Sequence, residues 1–284
     1  MNILIVGLGL IGGSYAMGLS KAGHHVYGLD KNQDVIDYAY QKKYIINNQN
    51  DYSLISQVDL VILAIYPMQI LEFLKENNHY FKSNQFVTDV CGVKSSFVNE
   101  ALLLARPATY VSHHPMAGKE KVGIEYADAA IFKNANFLIT PVDTTDRGAN
   151  GIEVLKNIAI DLGFGRISVV SPAVHDKMIG FTSELTHAIA VSLVNSDKDL
   201  ETVKYIGDSY RDLTRIAMIN ETLWSELFLE NKDYLLEHID NFLIEIEKIR
   251  LALKNNDRAN LNQLFKKSTE KRKEMEKWKN YQLI

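Results

Sequence analysis

The sequence predicts an α/β domain with a parallel sheet, followed by an all-helical domain. Short apolar runs alternate with helical patterns over the first 170 residues, and a glycine-rich turn follows the first run directly. From Ala173 onward the apolar spacing is helical and no strand pattern is convincing. A chain of 284 residues is long enough for two domains, which we place at 1–170 and 171–284.

The strands and helices of the first domain alternate along the chain. Strands are predicted at 2–6, 25–29, 58–65, 85–90, 109–114, 134–140 and 165–170. Helices are predicted at 11–22, 68–76, 95–105 and 148–162. Such alternation favours a parallel sheet with helices on both faces.

A glycine motif follows the first strand. It reads Gly7-Leu8-Gly9-Leu10-Ile11-Gly12, which is GxGxxG between a strand and a helix. Its glycines allow a tight turn, close approach of a pyrophosphate and close helix–strand packing, and the helix N-terminus faces the phosphate charge. This pattern predicts a Rossmann-type dinucleotide-binding domain.

Asp30 ends the second strand, 18 residues after the motif. A carboxylate there accepts hydrogen bonds from ribose hydroxyls and repels a 2′-phosphate, so we expect NAD rather than NADP as cofactor. The neighbouring Lys31 weakens that preference.

Composition excludes several classes of function. The net charge is −4, with acids and bases well mixed, so no nucleic-acid partner is expected. No run of about 20 apolar residues is present to span a membrane. Cys91 is the single cysteine, which fits a reducing, cytoplasmic location, and no residue spacing demands a metal.

The helical domain carries long apolar stripes, among them Ile179, Leu185, Ile189 and Leu193. This is more apolar helix surface than one small bundle needs. We therefore expect a homodimer formed through the helical domain.

Two histidines and two arginines are candidates for chemistry. His114 ends a predicted strand at the carboxyl edge of the sheet, where it could act as a base beside the nicotinamide, whereas His113 points away and is interpreted as structural. Arg211 and Arg215, four residues apart, suit a dianionic substrate, although surface ion pairs are an alternative. His187 follows His175 by 12 residues, about 120° away on one helix.

Several segments together resemble the prephenate/arogenate dehydrogenase family. They are VGLGLIGGS at the N-terminus, TDVCGVK (88–94), HPMAGKEKVG (114–123), SPAVHDKMIGFTSELTH (171–187) and YRDLTRIA (210–217). Their order along the chain is specific to that family.

The resemblance implies oxidative decarboxylation of prephenate to 4-hydroxyphenylpyruvate with NAD as hydride acceptor. It implies that His114 accepts the proton of the ring hydroxyl, that His187 lines the substrate pocket and that Arg211 holds a substrate carboxylate. Arg215 is a weaker candidate for the same role. It also implies a helical second domain that dimerises.

Three positions depart from the family pattern. Gly92 stands where a serine is common and removes a hydroxyl near the catalytic histidine. Glu184 replaces a histidine of a SHLPH-like segment, and Lys119 replaces a threonine. All three are candidate substrate-binding positions.

Two other functions remain open. Glu184 could pair with an ammonium group, which would favour arogenate as the substrate. Loss of the hydroxyl at Gly92 would fit a catalytically silent NAD-sensing protein. No dedicated regulatory domain is expected after the helices, although tyrosine could compete at the active site.

Overall fold

The computed structural model describes residues 1–199 and 201–281. It divides into two compact units, Met1–Tyr234 and Leu235–Ile284. The first unit contains every strand described below and the shorter helices. The second unit contains most of one long helix and the whole of the next. The boundary predicted between residues 170 and 171 stays a prediction.

Five parallel strands form the first sheet, as predicted. They are β1 (Asn2–Val6), β2 (His25–Leu29), β3 (Leu60–Leu63), β4 (Phe86–Asp89) and β5 (Thr109–Tyr110), in the order β2-β1-β3-β4-β5. The central strand β1 pairs with both β2 and β3. It is buried on both faces, which explains its unbroken apolar sequence.

Helices pack around this sheet. They are α1 (Leu10–Lys21), α2 (Gln33–Gln41), α3 (Pro67–Asn77), α4 (Val98–Leu104) and α5 (Asp146–Asp161). Four of them lie close to their predicted positions, whereas α2 was not predicted. Only Ile36 and Ala39 of α2 are buried, and the Asn32 side chain caps its first turn.

A second sheet corrects the predicted strand at 109–114. The chain leaves the first sheet after β5 and continues as β6 (Ser112–Met116), which pairs antiparallel with β7 (Asn136–Thr140). The last strand, β8 (Arg166–Val169), pairs parallel with β7. Because β5 and β6 form one continuous, largely buried run, periodicity alone does not show where the chain changes sheets.

Helices account for the regular structure beyond Val169 in the described part of the chain, as predicted. They are α6 (Pro172–Ile179), a π-helical turn (Gly180–Glu184), α7 (Leu185–Ser196), α8 (Asp208–Thr214), α9 (Glu221–Glu230), α10 (Lys232–Lys254) and α11 (Arg258–Tyr281). Short 3-10 turns lie at 52–57, 78–80, 124–126, 129–132, 202–205 and 215–217. Within the described residues, no helix combines the length and apolar character needed to cross a membrane.

Candidate active site

The glycine loop joins β1 to α1. Gly7 has a φ of +84°, and a Cβ atom there would lie 2.6 Å from the carbonyl oxygen of Ala64. A Cβ atom on Gly12 would lie 1.8 Å from the carbonyl oxygen of Gly7. Glycine is therefore required at both positions, by the turn and by the packing of helix on strand. Gly9, in contrast, borders open space, with no atom within 4 Å of its Cβ position.

Asp30 lies beside this loop. Its Oδ2 accepts a hydrogen bond from the backbone nitrogen of Leu8 at 2.8 Å, and its Oδ1 accepts one from Asn32 at 3.0 Å. The first turn of α1 carries no acidic side chain that would repel a phosphate. The loop, the open space at Gly9 and this carboxylate together fit a bound dinucleotide.

His113 and His114 point to different environments from adjacent positions of β6. The ring of His113 is fully buried, with hydrogen bonds of 2.7 Å to Tyr15 Oη and to Thr88 Oγ1. Its ring centroid also stacks 4.6 Å from that of Phe137. Burial lowers the pKa of His113 to about 3. These surroundings agree with its interpretation as a structural residue.

His114 begins a chain of side-chain hydrogen bonds. Its Nδ1 lies 2.9 Å from Nε2 of His175, and Nδ1 of His175 lies 2.7 Å from Oδ1 of Asp176. The Asp176 carboxylate also accepts hydrogen bonds from the backbone nitrogens of Lys94 (2.9 Å) and Ser95 (2.6 Å). We call His114, His175 and Asp176 the histidine relay.

The relay determines which nitrogen of His114 carries the proton. Burial favours the neutral form of Asp176, but hydrogen bonds from His175 and Ser95 outweigh it and lower the pKa of Asp176. An ionised carboxylate only accepts hydrogen bonds, so His175 donates through Nδ1 and accepts through Nε2. His114 must then donate through Nδ1, which leaves its Nε2 unprotonated.

His114 is a neutral base at physiological pH. Burial lowers its pKa well below the usual value, and proximity to His175 and to the Lys94 ammonium acts in the same direction. In the described part of the chain, no hydrogen bond occupies its Nε2 nitrogen. This atom can therefore accept a proton from a bound ligand.

His175 and Asp176 were not predicted as site residues. Both residues stand in a quoted segment, but adjacent His and Asp on a helix carry no signal of a partner 61 positions away in sequence. The contact depends on the docking of α6 against β6, which periodicity does not predict.

The π-helical turn changes the expected geometry of His187. Twelve residues of regular α-helix would separate His175 and His187 by about 120°. A turn closed by i→i+5 hydrogen bonds holds one extra residue, so the separation falls to about 20°. The 120° separation expected for one regular helix therefore does not apply across this turn. His187 donates to the Ser183 carbonyl at 2.9 Å, and its ring centroid lies 3.6 Å from that of Trp224.

Glu184, the last residue of the π-helical turn, is buried. Nδ2 of Asn231 donates to Oε2 of Glu184 at 2.8 Å and to the backbone oxygen of Asp176 at 3.0 Å. Burial, with a contribution from the Asp176 charge, raises the pKa of Glu184 to about 8. A neutral acid packed under Asn231 is poorly placed to pair with a substrate ammonium group.

The two candidate arginines have different partners. Arg211, on α8, is exposed and lies 2.6 Å from Asp208, which is the surface ion pair considered as an alternative. Because α8 ends at Thr214, Arg215 points elsewhere and pairs with Glu120. The positive charge of Arg215 contributes to the lowered pKa of His187, behind the larger effect of burial. Arg215 is therefore the arginine close to His187.

Gly92 and Lys119 occupy different surroundings. A Cβ atom on Gly92 would lie 3.9 Å from Cε1 of His114, so the missing side chain would stand next to the base. Lys119 is half-exposed, and its Nζ lies 2.9 Å from Oδ2 of Asp128.

Two further features bear on the predictions about metals and thiols. Among the described residues, no group of three or more His, Cys, Asp or Glu side chains could hold a metal ion. Cys91 is buried, which raises the pKa of its thiol to about 12 and keeps it protonated.

Two family models match this chain in succession. The model described as prephenate dehydrogenase, nucleotide-binding domain, matches residues 15–167. The model described as prephenate dehydrogenase, dimerization domain, matches residues 171–267.

Individual proteins agree with these matches. A prephenate dehydrogenase of Bacillus subtilis is 32% identical over 275 residues, which cover 93% of this chain and 73% of the relative. The structure of A. aeolicus prephenate dehydrogenase with hydroxyphenyl propionate and NAD+ superposes with a TM-score of 0.86 and 28% identity, over 97% of this chain and 98% of that one. Synechocystis arogenate dehydrogenase superposes with a TM-score of 0.80 and 26% identity, over 97% of this chain and 100% of that one.

Proposed function

The chain belongs to the prephenate dehydrogenase family, and on that basis we propose that it is an NAD-dependent enzyme that converts prephenate to 4-hydroxyphenylpyruvate. The reaction oxidises the ring carbon that bears the hydroxyl and releases the ring carboxylate as carbon dioxide. The observation that carries the proposal is the chain of hydrogen bonds from His114 through His175 to Asp176, from which an unprotonated Nε2 on His114 follows.

NAD is the cofactor. The backbone of the glycine loop, from Gly7 to Gly12, would hold the pyrophosphate at the N-terminus of α1, and Asp30 would accept hydrogen bonds from the ribose. When bound, NAD would supply the hydride acceptor. The A. aeolicus relative, which superposes over nearly the whole chain, was solved with NAD+.

His114 is the general base. A neutral imidazole with a free Nε2 can take the ring hydroxyl proton as the carbon–hydrogen bond breaks. The positive charge that develops on the His114 imidazole would be stabilised through His175 by the Asp176 carboxylate. Decarboxylation then makes the ring aromatic, which drives the reaction forward.

The substrate carboxylates need a cation, and we assign that role to Arg215 rather than Arg211. Both side chains are exposed, but Arg215 lies near His187, whereas Arg211 pairs with Asp208 on its own helix. A guanidinium binds a carboxylate in a bidentate manner, so a substrate carboxylate can replace Glu120 as the partner of Arg215. His187 and the Trp224 ring stacked on it would line the same pocket.

The alternative substrate is arogenate, which has an amine where prephenate has a keto group. The relative from Synechocystis carries that name. Glu184 was the residue expected to pair with that amine, but it is buried against Asn231 and is neutral below about pH 8. The geometry therefore favours prephenate. An NAD-sensing protein without turnover would have no need of the ordered relay.

We further propose a cytoplasmic homodimer. The second family model is described as a dimerization domain. Several large apolar side chains on α10 and α11 are exposed, among them Leu243, Ile244, Leu253 and Phe265. A second copy could cover them. Light scattering during size-exclusion chromatography should give twice the mass of one chain, and the mass of a single chain would contradict this assignment.

The first experiment is an assay of NADH formation with prephenate and arogenate, each tested with NAD and NADP. We expect rapid NADH formation with prephenate and NAD. Turnover of arogenate alone would identify arogenate as the substrate, and turnover only with NADP would identify NADP as the cofactor. No turnover by a protein that still binds NAD would favour the sensing alternative.

A further inference from the structure

Lys94 is a fully buried cation that contacts the histidine relay. Its Nζ donates to Oδ1 of Asp89 and to the backbone oxygen of His113, both at 2.7 Å. The side chains of Lys94 and Asp89 have no exposed surface. Tyr110 completes the cluster through a 2.6 Å hydrogen bond from its hydroxyl to Oδ2 of Asp89.

The same residue also contacts the far end of the relay. The backbone nitrogen of Lys94 donates to Oδ1 of Asp176 at 2.9 Å, and the next nitrogen, that of Ser95, donates to Oδ2. Lys94 therefore binds both the strand residue before His114 and the carboxylate that ends the relay.

We propose that Lys94 is a positioning residue for catalysis: it holds the His114 segment of β6 and the Asp176 carboxylate of α6 at the separation that the relay requires. The inference rests on the proposed function, because it assigns Lys94 a part in placing the base. It gives a role to the last residue of the TDVCGVK segment.

The charge of Lys94 supports the same role. Burial is the main reason that the pKa values of His114 and His175 are low, and the Lys94 ammonium lowers both further. The titratable groups around Lys94 and the relay are Asp89, Cys91, Tyr110, His113 and Asp176. The Asp89 carboxylate raises the pKa of His175 and so offsets part of the decrease caused by Lys94.

A different result is expected if the ion pair between Lys94 and Asp89 only stabilises the fold. Replacing a buried pair with neutral groups of similar size is often neutral for stability, whereas removal of one partner leaves an unpaired charge. If Lys94 and Asp89 only stabilise the fold, a double neutral variant that folds should retain its turnover. If Lys94 positions the relay, that variant should fold and still lose turnover.

The test compares Lys94→Met, the double variant Asp89→Asn/Lys94→Met, and Lys156→Met as the matched control. Lys156 forms an exposed ion pair with Glu153 on α5 and should be replaceable without effect. We expect the double variant to bind NAD normally, with kcat reduced about 10- to 100-fold, the scale of loss that a displaced catalytic group produces. The acid limb of its kcat/KM profile should move to higher pH, because a cation that lowers the pKa of His114 is gone.

A second measurement does not depend on any substrate. The ring proton of His114, identified as the NMR resonance missing from His114→Asn, should titrate at higher pH in the double variant than in the parent. Unchanged titration, together with unchanged kcat, would overturn the inference and leave the proposed function standing. Failure of the parent to turn over either substrate would instead refute the proposed function, while the titration would still decide the role of Lys94.

Discussion

Nδ1 of His114 lies 2.9 Å from Nε2 of His175, although the two residues belong to a strand and to a helix of different regions of the sequence. His175 in turn binds the Asp176 carboxylate. The orientation and tautomer of the base are thus set by α6 rather than by the sheet that carries it. Any change that moves α6 relative to β6 should affect proton transfer before it affects cofactor binding.

Replacing His114 with Asn should reduce kcat by about 10²- to 10⁴-fold, because general base catalysis contributes on that scale. NAD affinity should stay unchanged, since the glycine loop and Asp30 do not contact this ring. Steady-state NADH formation and a separate NAD titration measure the two effects. His25→Asn, at an exposed position, serves as the control. Near-normal turnover of the His114 variant would remove this residue from the mechanism.

Asp176→Asn should also impair turnover, by about 10- to 10³-fold, because an amide does not fix the His175 tautomer as a carboxylate does. The amide nitrogen would face one of the backbone donors of Lys94 or Ser95, which now bind the two carboxylate oxygens. We therefore expect lower thermal stability as well. Parental kcat in this variant would show that the relay does not orient His114.

The two arginines should respond differently to truncation. Arg215→Ala should raise KM for prephenate about 10- to 100-fold, the value of a charge-assisted hydrogen bond to a carboxylate. Arg211→Ala, which removes only an exposed ion pair, should change KM by no more than roughly threefold. The reverse ranking would return the carboxylate site to Arg211.

A hydroxyl restored at Gly92 should be tolerated. A Cβ atom there would lie 3.4 Å from Cδ2 of Leu227 and 3.9 Å from Cε1 of His114, both ordinary contacts. Gly92→Ser should therefore fold normally and raise kcat/KM about 2- to 10-fold, as one additional hydrogen bond near the base allows. Gly92→Ala supplies the Cβ atom alone and separates packing from hydrogen bonding. Equal rates for both variants would show that the hydroxyl is not used.

The parts of the fold that follow from local patterns were predictable. The glycine loop and the first parallel strands have strong signals in adjacent residues, and Gly7 and Gly12 occupy positions where the structure requires glycine. The change of sheet near Val111 was not predictable, because the same buried run serves both sheets. α2 is a short helix that was not predicted, although its few apolar residues have helical spacing.

The site residues likewise divide into those that local sequence predicts and those that only the tertiary structure brings together. His114 was identified by its predicted place at the end of a parallel strand and by the family resemblance, but it lies within β6 of the second sheet. His175 became part of the site only through tertiary contact. A regular helix was assumed between His175 and His187, and a single π-helical turn is enough to rotate one relative to the other. Such a turn has no strong sequence signal, so angles calculated from residue spacing do not hold across it.

Glu184 makes stability depend on pH in a direction opposite to that of most carboxylates. In the unfolded chain its pKa is near the usual value of about 4.3, whereas burial raises the pKa to about 8 in the folded protein. Between these values the folded state binds a proton that the unfolded state does not, so this group contributes a loss of stability as pH rises. Glu184→Gln keeps the hydrogen bond from Asn231 but carries no titrating proton.

The variant should therefore gain stability relative to the parent as pH increases from about 4.5 to 8, by an amount on the order of 2–4 kcal/mol. Denaturant unfolding at a series of pH values measures this difference directly. Glu237→Gln, which alters an exposed carboxylate on α10, should show no such trend. If the parent and Glu184→Gln proteins lose stability in parallel, Glu184 is ionised in the folded state. Its burial against Asn231 would then not be the cause of the pH dependence, and an ammonium partner would again be a reasonable role for it.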